Sequence, residues 1–176
     1  MGRAISRDYK GRTLDVVAIL ENSFVFAADL VRQISEPVVC HFVRSELRDV
    51  TLGGYDRREV FFSRPPVLEG RDVLVVDVVL HSGVTQDFLM KRLEETRPRS
   101  LRLAVLFDAP RDRKVDLRPA YKGFASASKY LVGYGLAGRG GLYRNLPYIA
   151  AAGAAPKRGR KARRAKKGSD GRKGEL

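Results

Sequence analysis

The run Leu74-Val75-Val76-Asp77-Val78-Val79-Leu80 is apolar at both alternations, interrupted only by Asp77. A half-exposed strand needs one apolar face, whereas a run like this must be covered on both faces, as in the centre of a parallel sheet. The loop His81-Ser82-Gly83-Val84-Thr85 ends it, and a helix over Gln86–Thr96 follows. The same alternation of signals recurs along the chain. Asp15-Val16-Val17-Ala18-Ile19-Leu20 reads as a buried strand. Ser23 then precedes a helix from Phe24 to Ile34, with Phe26, Leu30, Val31 and Ile34 on one face. Pro37 stops that helix, Val38–Val43 is a further strand, and Leu101–Phe107 another. Glu59-Val60-Phe61-Phe62 reads as one arm of a β-ribbon. Strands alternating with helices of this length predict an α/β fold: an open, mainly parallel sheet flanked by helices.

On open parallel sheets, ligands bind beyond the carboxyl ends of the strands. The loop 81–85 stands there, and Ser82, Gly83, Val84 and Thr85 bring two hydroxyls and backbone N–H groups to a helix N-terminus. That combination suits a phosphate monoester. The same four residues equally suit an ordinary capped strand-to-helix turn.

Charge divides the chain. The formal net charge is +14, from 34 Lys and Arg against 20 Asp and Glu. Residues 156–176 hold ten of the basic residues and only two acidic ones, without a Val, Ile or aromatic side chain. Such a segment cannot bury a core, so the expected organisation is one domain over 1–155 and a disordered basic tail over 156–176. Lys157, Arg158, Arg160, Lys161, Arg163, Arg164, Lys166 and Lys167 can neutralise phosphates in salt-dependent, sequence-blind contact with RNA or DNA. A tail that serves only solubility is the plainer alternative. A membrane partner is not expected. No apolar run approaches the roughly 20 residues of a span, and no aromatic or aliphatic anchor accompanies the tail's charges.

Cys40 is the only cysteine, which excludes an internal disulfide and a cysteine-cluster zinc site. His41 and His81 are too few and too far apart to hold zinc, and no serine sits in a nucleophile elbow. The start MGRAISRDYKGR lacks the apolar core of a secretory signal. The expectation is a soluble, cytoplasmic protein.

A hydrophobic strand carrying an acid near its end, then a small-Gly-x-Thr loop, resembles the PRPP-binding motif of type I phosphoribosyltransferases. Three further segments narrow the resemblance to the hypoxanthine-guanine phosphoribosyltransferases: Phe26-Ala27-Ala28-Asp29-Leu30, Lys129-Tyr130-Leu131-Val132-Gly133-Tyr134-Gly135-Leu136, and Tyr143-Arg144-Asn145-Leu146-Pro147-Tyr148-Ile149. The resemblance runs in order from about Ile5 to Ala150 and excludes the basic tail. It implies a small hood over the sheet, transfer of a 5-phosphoribosyl group from PRPP to a purine nitrogen, magnesium as cofactor when active, and a homo-oligomer.

Carried across position by position, the resemblance assigns the 5′-phosphate to Ser82, Gly83, Val84 and Thr85. Asp77 takes the first of the paired acids that bind the ribose hydroxyls, and Val78 stands at the second. His81 replaces the acid beside the purine. An imidazole can exchange a proton there, although a solvated loop histidine is the plainer reading. The purine side falls to Arg118, Tyr130 and Leu131, and the pyrophosphate side to Glu21, Asn22 and Arg144. Glu21 stands where the family has Lys, a reversal of charge, and Ala137 stands at the late magnesium-associated acid. No metal ligand set is assigned. Three departures against transfer chemistry lead to the expectation of a divergent member that binds a purine nucleotide or phosphate with weak or lost transfer. The alternative is an active purine phosphoribosyltransferase that uses His81 in place of the acid.

Overall fold

The computed structural model describes residues 1–52, 55–62, 66–125 and 130–152, with 45–62 described as backbone only. Six strands form one sheet: β1 (Leu14–Leu20), β2 (Val38–Leu52), β3 (Tyr55–Phe62), β4 (Asp72–Leu80), β5 (Ser100–Asp108) and β6 (Tyr121–Ala125). Their spatial order is β3-β2-β1-β4-β5-β6. All neighbours pair in parallel except β2 and β3, an antiparallel ribbon running from Ser45↔Phe62 to Leu52↔Tyr55. The expected α/β architecture is therefore observed, with β4 central. The strand expected to end at Val43 continues to Leu52, because its far half pairs with β3. A second, two-stranded sheet pairs β7 (Leu131–Val132) with β8 (Ala150–Ala151).

Strand alternation sorts the core into two layers. Val16, Ala18, Leu74, Val76 and Val78 face α1 (Gly2–Asp8) and α2 (Phe24–Val31), where Ile5, Tyr9, Phe26 and Leu30 pack. Val17, Ile19, Val73 and Val75 face α3 (Val84–Glu94) and its Leu89 and Leu93. Helix α2 ends three residues before the expected Ile34, yet Ile34 still packs in the core through the turn that follows. Helix α3 begins two residues before the expected Gln86, directly after Gly83. That residue has φ 79°, and a Cβ on it would lie 2.8 Å from Val115, so glycine is required by both conformation and space.

The amino ends of the strands are tied by buried carboxylates with cationic partners. Asp15 accepts from Arg71 Nε at 2.7 Å and lies 2.8 Å from His41 Nε2. Asp72 bonds to Arg12, Arg99 and Ser100. Burial alone would raise the Asp72 carboxyl, but these bonds and the neighbouring guanidinium charges hold it below the ordinary range. The carboxyl ends are left for the crevice. Among the described residues, no helix is long and apolar enough to cross a membrane. The basic segment 156–176 lies outside the described residues.

Candidate active site

A cavity of about 690 Å³ opens at the carboxyl ends of β1 and β4, a size that accommodates a nucleotide. Ile19 and Leu20 at the end of β1, and Asp77 and Val79 in β4, form part of its wall. His81, Thr85 and Gln86 come from the following loop and helix, and Tyr130, Leu131, Arg139 and Tyr143 from the carboxyl-terminal part of the chain. Of the residues assigned from sequence, Asn22, Asp77, His81, Thr85, Tyr130 and Leu131 thus line one cavity. Tyr130 is 57% exposed, so its ring is no core aromatic.

Asp77 is buried and has an amide environment in place of a cation. Its Oδ1 accepts from Val78 N and its Oδ2 from Gln86 Nε2, both at 2.7 Å. Burial pushes its carboxyl up to about 6, against the opposing effect of those two bonds. Gln86 was not picked out from sequence. Its only signal was a polar residue at the inward-facing start of α3.

The loop 81–85 is held from below. Arg113 donates from Nε to His81 O at 3.0 Å, and its other nitrogens reach Asp108 Oδ1 and the carbonyls of Leu80 and Leu117. Val84 N donates to Ser82 Oγ at 3.5 Å. Of the four residues assigned to the 5′-phosphate, Thr85 lines the cavity, whereas Ser82, Gly83 and Val84 do not. Arg113 carried no sequence signal, because it lies in a loop without periodicity.

Val78, Arg118 and Glu21 do not line the cavity. Val78 is 0% exposed and packs in the layer beneath α2 with Leu74 and Val76. Neighbouring strand residues point to opposite faces, so with Asp77 lining the crevice its neighbour enters the core. Arg118 has a side chain 91% exposed, pairs with Asp116 and does not line the cavity; Arg139 is the cation that does. Glu21 is not a bare negative charge. Its carboxylate meets Arg44 Nη2 at 2.8 Å and Arg144 Nη2 at 3.1 Å. Arg144 also donates to Asn22 Oδ1 at 2.8 Å and to Gly135 O at 2.6 Å.

The carboxyl-terminal lobe is fastened to the sheet around these contacts. Gly135 has φ 91°, and a Cβ there would sit 2.9 Å from Asn22 O. Tyr134 donates to Asp29 Oδ2 on α2. Burial, with that bond second, pushes the Tyr134 hydroxyl up to about 12.

Magnesium needs oxygen ligands, and the described residues supply few. No group of three or more His, Cys, Asp or Glu stands together among them in a way that could hold a metal ion. Among the described residues Asp77 is the one carboxylate lining the cavity, and both its oxygens are engaged. Ala137 and Gly138 line the wall where the resemblance places the late acid. These side chains do not by themselves make a magnesium site.

Known proteins share this arrangement over most of the chain. A family model described as a phosphoribosyl transferase domain matches residues 3–137. The hypoxanthine-guanine phosphoribosyltransferase of Staphylococcus epidermidis is 34% identical over 149 residues, covering 85% of this chain and 83% of that protein. A crystal structure of a hypoxanthine-guanine phosphoribosyltransferase from Bacillus anthracis superposes with a TM-score of 0.73 at 35% identity, covering 85% of this chain and 87% of that one. A hypoxanthine phosphoribosyltransferase from Staphylococcus aureus gives 0.73 at 32% identity, covering 85% and 81%. The chain belongs to the phosphoribosyltransferase family, among relatives that are hypoxanthine-guanine phosphoribosyltransferases.

Proposed function

We propose that this protein transfers a 5-phosphoribosyl group from PRPP to a purine, with His81 in the place of the family's acid. The observation that carries the reading is the convergence of His81, Thr85 and Tyr130 on one cavity. One of the three sequence arguments against transfer also loses its force, because the charge of Glu21 is matched by two guanidiniums.

The 5′-phosphate sits on the 82–85 loop, where the hydroxyls of Ser82 and Thr85 and the start of α3 favour an anion. Tyr130 offers its exposed ring to the base, and Leu131 offers its backbone. His81 accepts the proton that the purine nitrogen gives up as its C–N bond to the anomeric carbon forms. The bond from that carbon to the pyrophosphate oxygen breaks, and pyrophosphate leaves with the electron pair.

A second reading, binding without turnover, draws on Ala137 and on Asp77 being the one carboxylate of the cavity wall among the described residues. The basic segment 156–176 adds a proposed polyanion contact, carried by its charge alone.

The test incubates the full chain with PRPP, magnesium chloride and each of hypoxanthine, guanine and xanthine, and quantifies nucleoside monophosphate. Product is expected with at least one base. His81→Ala is expected to lower kcat about 100-fold or more, with His81→Asp restoring much of it. No product with any base, together with a rise in melting temperature on adding GMP, overturns transfer in favour of binding. Neither product nor a shift removes both readings.

A further inference from the structure

We infer that Gln86 touches the ligand: its side-chain oxygen, beside the carboxylate of Asp77, accepts from a sugar hydroxyl, so that the two residues together read a vicinal diol. The inference rests on the reading above for the crevice, and adds the residue that takes the second hydroxyl. Gln86 stands in the first turn of α3, is 7% exposed and lines the cavity. Its Nε2 donates to Asp77 Oδ2 at 2.7 Å and reaches Val79 O at 3.4 Å. Both partners are accepting oxygens, which fixes the nitrogen on their side and leaves Oε1 as the other end of the amide. No described residue donates to that Oε1. Nor is it sealed in the protein. Among the described residues, the one unpartnered side-chain polar atom without solvent contact is the Tyr9 hydroxyl. With its N–H groups directed at the protein, a side chain buried in the cavity wall is left to accept from whatever fills the cavity.

The surroundings select the class of donor. Each oxygen of Asp77 takes one hydrogen bond from the protein, and a carboxylate oxygen has room for a second. Two acceptors thus stand side by side, and the bonds to Asp77 come from amides with no cation among them. An ionised Asp77 repels phosphate and favours neutral donors. On a phosphate-bearing ligand, two adjacent neutral donors are neighbouring hydroxyls of its sugar. Position along the chain fits this, since Gln86 follows Thr85 directly, and a phosphate on the 82–85 loop leaves the next part of the ligand beside it. Val78, the neighbour of Asp77 in β4, is in the core. The second acceptor therefore comes from the helix and not from the strand.

Calorimetric titration of the full chain with GMP, 2′-deoxy-GMP and 3′-deoxy-GMP tests this on the wild type, Gln86→Leu and Gln86→Met. The wild type is expected to bind GMP at least about 10-fold more tightly than either analogue, because each leaves one acceptor unpaired. In both variants the preference over one analogue should shrink to within about twofold. The preference over the other should survive, because Asp77 still accepts there. Survival of both preferences overturns the inference. Loss of both also overturns it, since Gln86 would then act only by holding Asp77, and so does a wild type that binds the three ligands alike or binds none. Nucleoside monophosphate formed from PRPP in any of these cases leaves the proposed function standing. Its absence, with one preference lost in the variants, overturns transfer and supports the inference. Melting curves identify a variant that fails to fold, and the other variant then decides.

Discussion

Replacing Val78 with Asp distinguishes the two ways of reading its place beside Asp77. By resemblance alone, Val78→Asp restores a lost acid and should improve ribose binding. By structure it puts a carboxyl into the layer between β4 and α2, at a position with 0% exposure. Removing a fully buried valine from that layer costs about 1.5–3 kcal/mol of burial. An unpartnered carboxyl there costs about 1–3 kcal/mol more by the standard of protein mutations, for a total of about 3–6 kcal/mol. That is a large part of the about 5–15 kcal/mol that holds an ordinary domain together. In a chain of this length each kcal/mol moves the midpoint by about 2–4 °C, so a fall of roughly 6–24 °C is expected. Thermal unfolding followed by circular dichroism at pH 7 and pH 5 measures it. The deficit should shrink at pH 5, because the protonated carboxyl is cheaper to bury, and Val78→Thr should fall between the two. A Val78→Asp protein that melts within about 2 °C of wild type and binds PRPP more tightly would show that the side chain reaches the crevice, and would refute the argument.

Asp77→Asn tests the acid that does line the crevice. With its carboxyl at about 6 in the fold and near 4 when unfolded, the folded state keeps a proton that the unfolded chain has released between those values. Stability therefore falls as pH rises from 4 to 6, by about 3 kcal/mol; the variant should show a flat profile there, and an unchanged slope would reject the assignment. Gly135→Ala forces a Cβ into a left-handed backbone and against Asn22 O, so a loss of about 1–3 kcal/mol is expected, read as a lower denaturant midpoint; an unchanged midpoint would mean that the lobe does not press on the β1–α2 turn. Deleting 156–176 should abolish salt-sensitive binding of single-stranded RNA and leave the melting temperature within about 2 °C, while retained binding with the same salt slope would exclude the tail as its cause.

The sheet was legible because its strands are written in a code of period two and its helices in one near 3.6. Helix α1 was not, since Gly2–Asp8 offers mainly Ile5 as an apolar anchor and finds its place only against Tyr9 and the sheet. The 81–85 loop and Asp77 were readable as one contiguous motif. The exposed position of Arg118 was not legible, because the segment between β5 and β6 has neither periodicity nor a fixed length to anchor it. The environment of Glu21 was beyond reach for another reason: its partners lie 23 and 123 residues away in sequence, so the sign of one residue said nothing of the net charge around it.

The distribution of buried acids gives the assignment of the crevice an independent footing. Asp15 has His41 and Arg71, Asp72 has Arg12 and Arg99, and Asp108 has Arg113 and Lys122. Each of these carboxylates is matched by at least one guanidinium, as a group retained for structure should be. Asp77 has only the side-chain amide of Gln86 and one backbone N–H, and its ionised form costs the fold stability at neutral pH. A buried acid kept at such a cost in a cavity wall is better explained by what it holds there than by what it contributes to folding. It follows that Asp77→Asn should gain stability above pH 6 while losing affinity for GMP, and that the two effects should appear in the same protein.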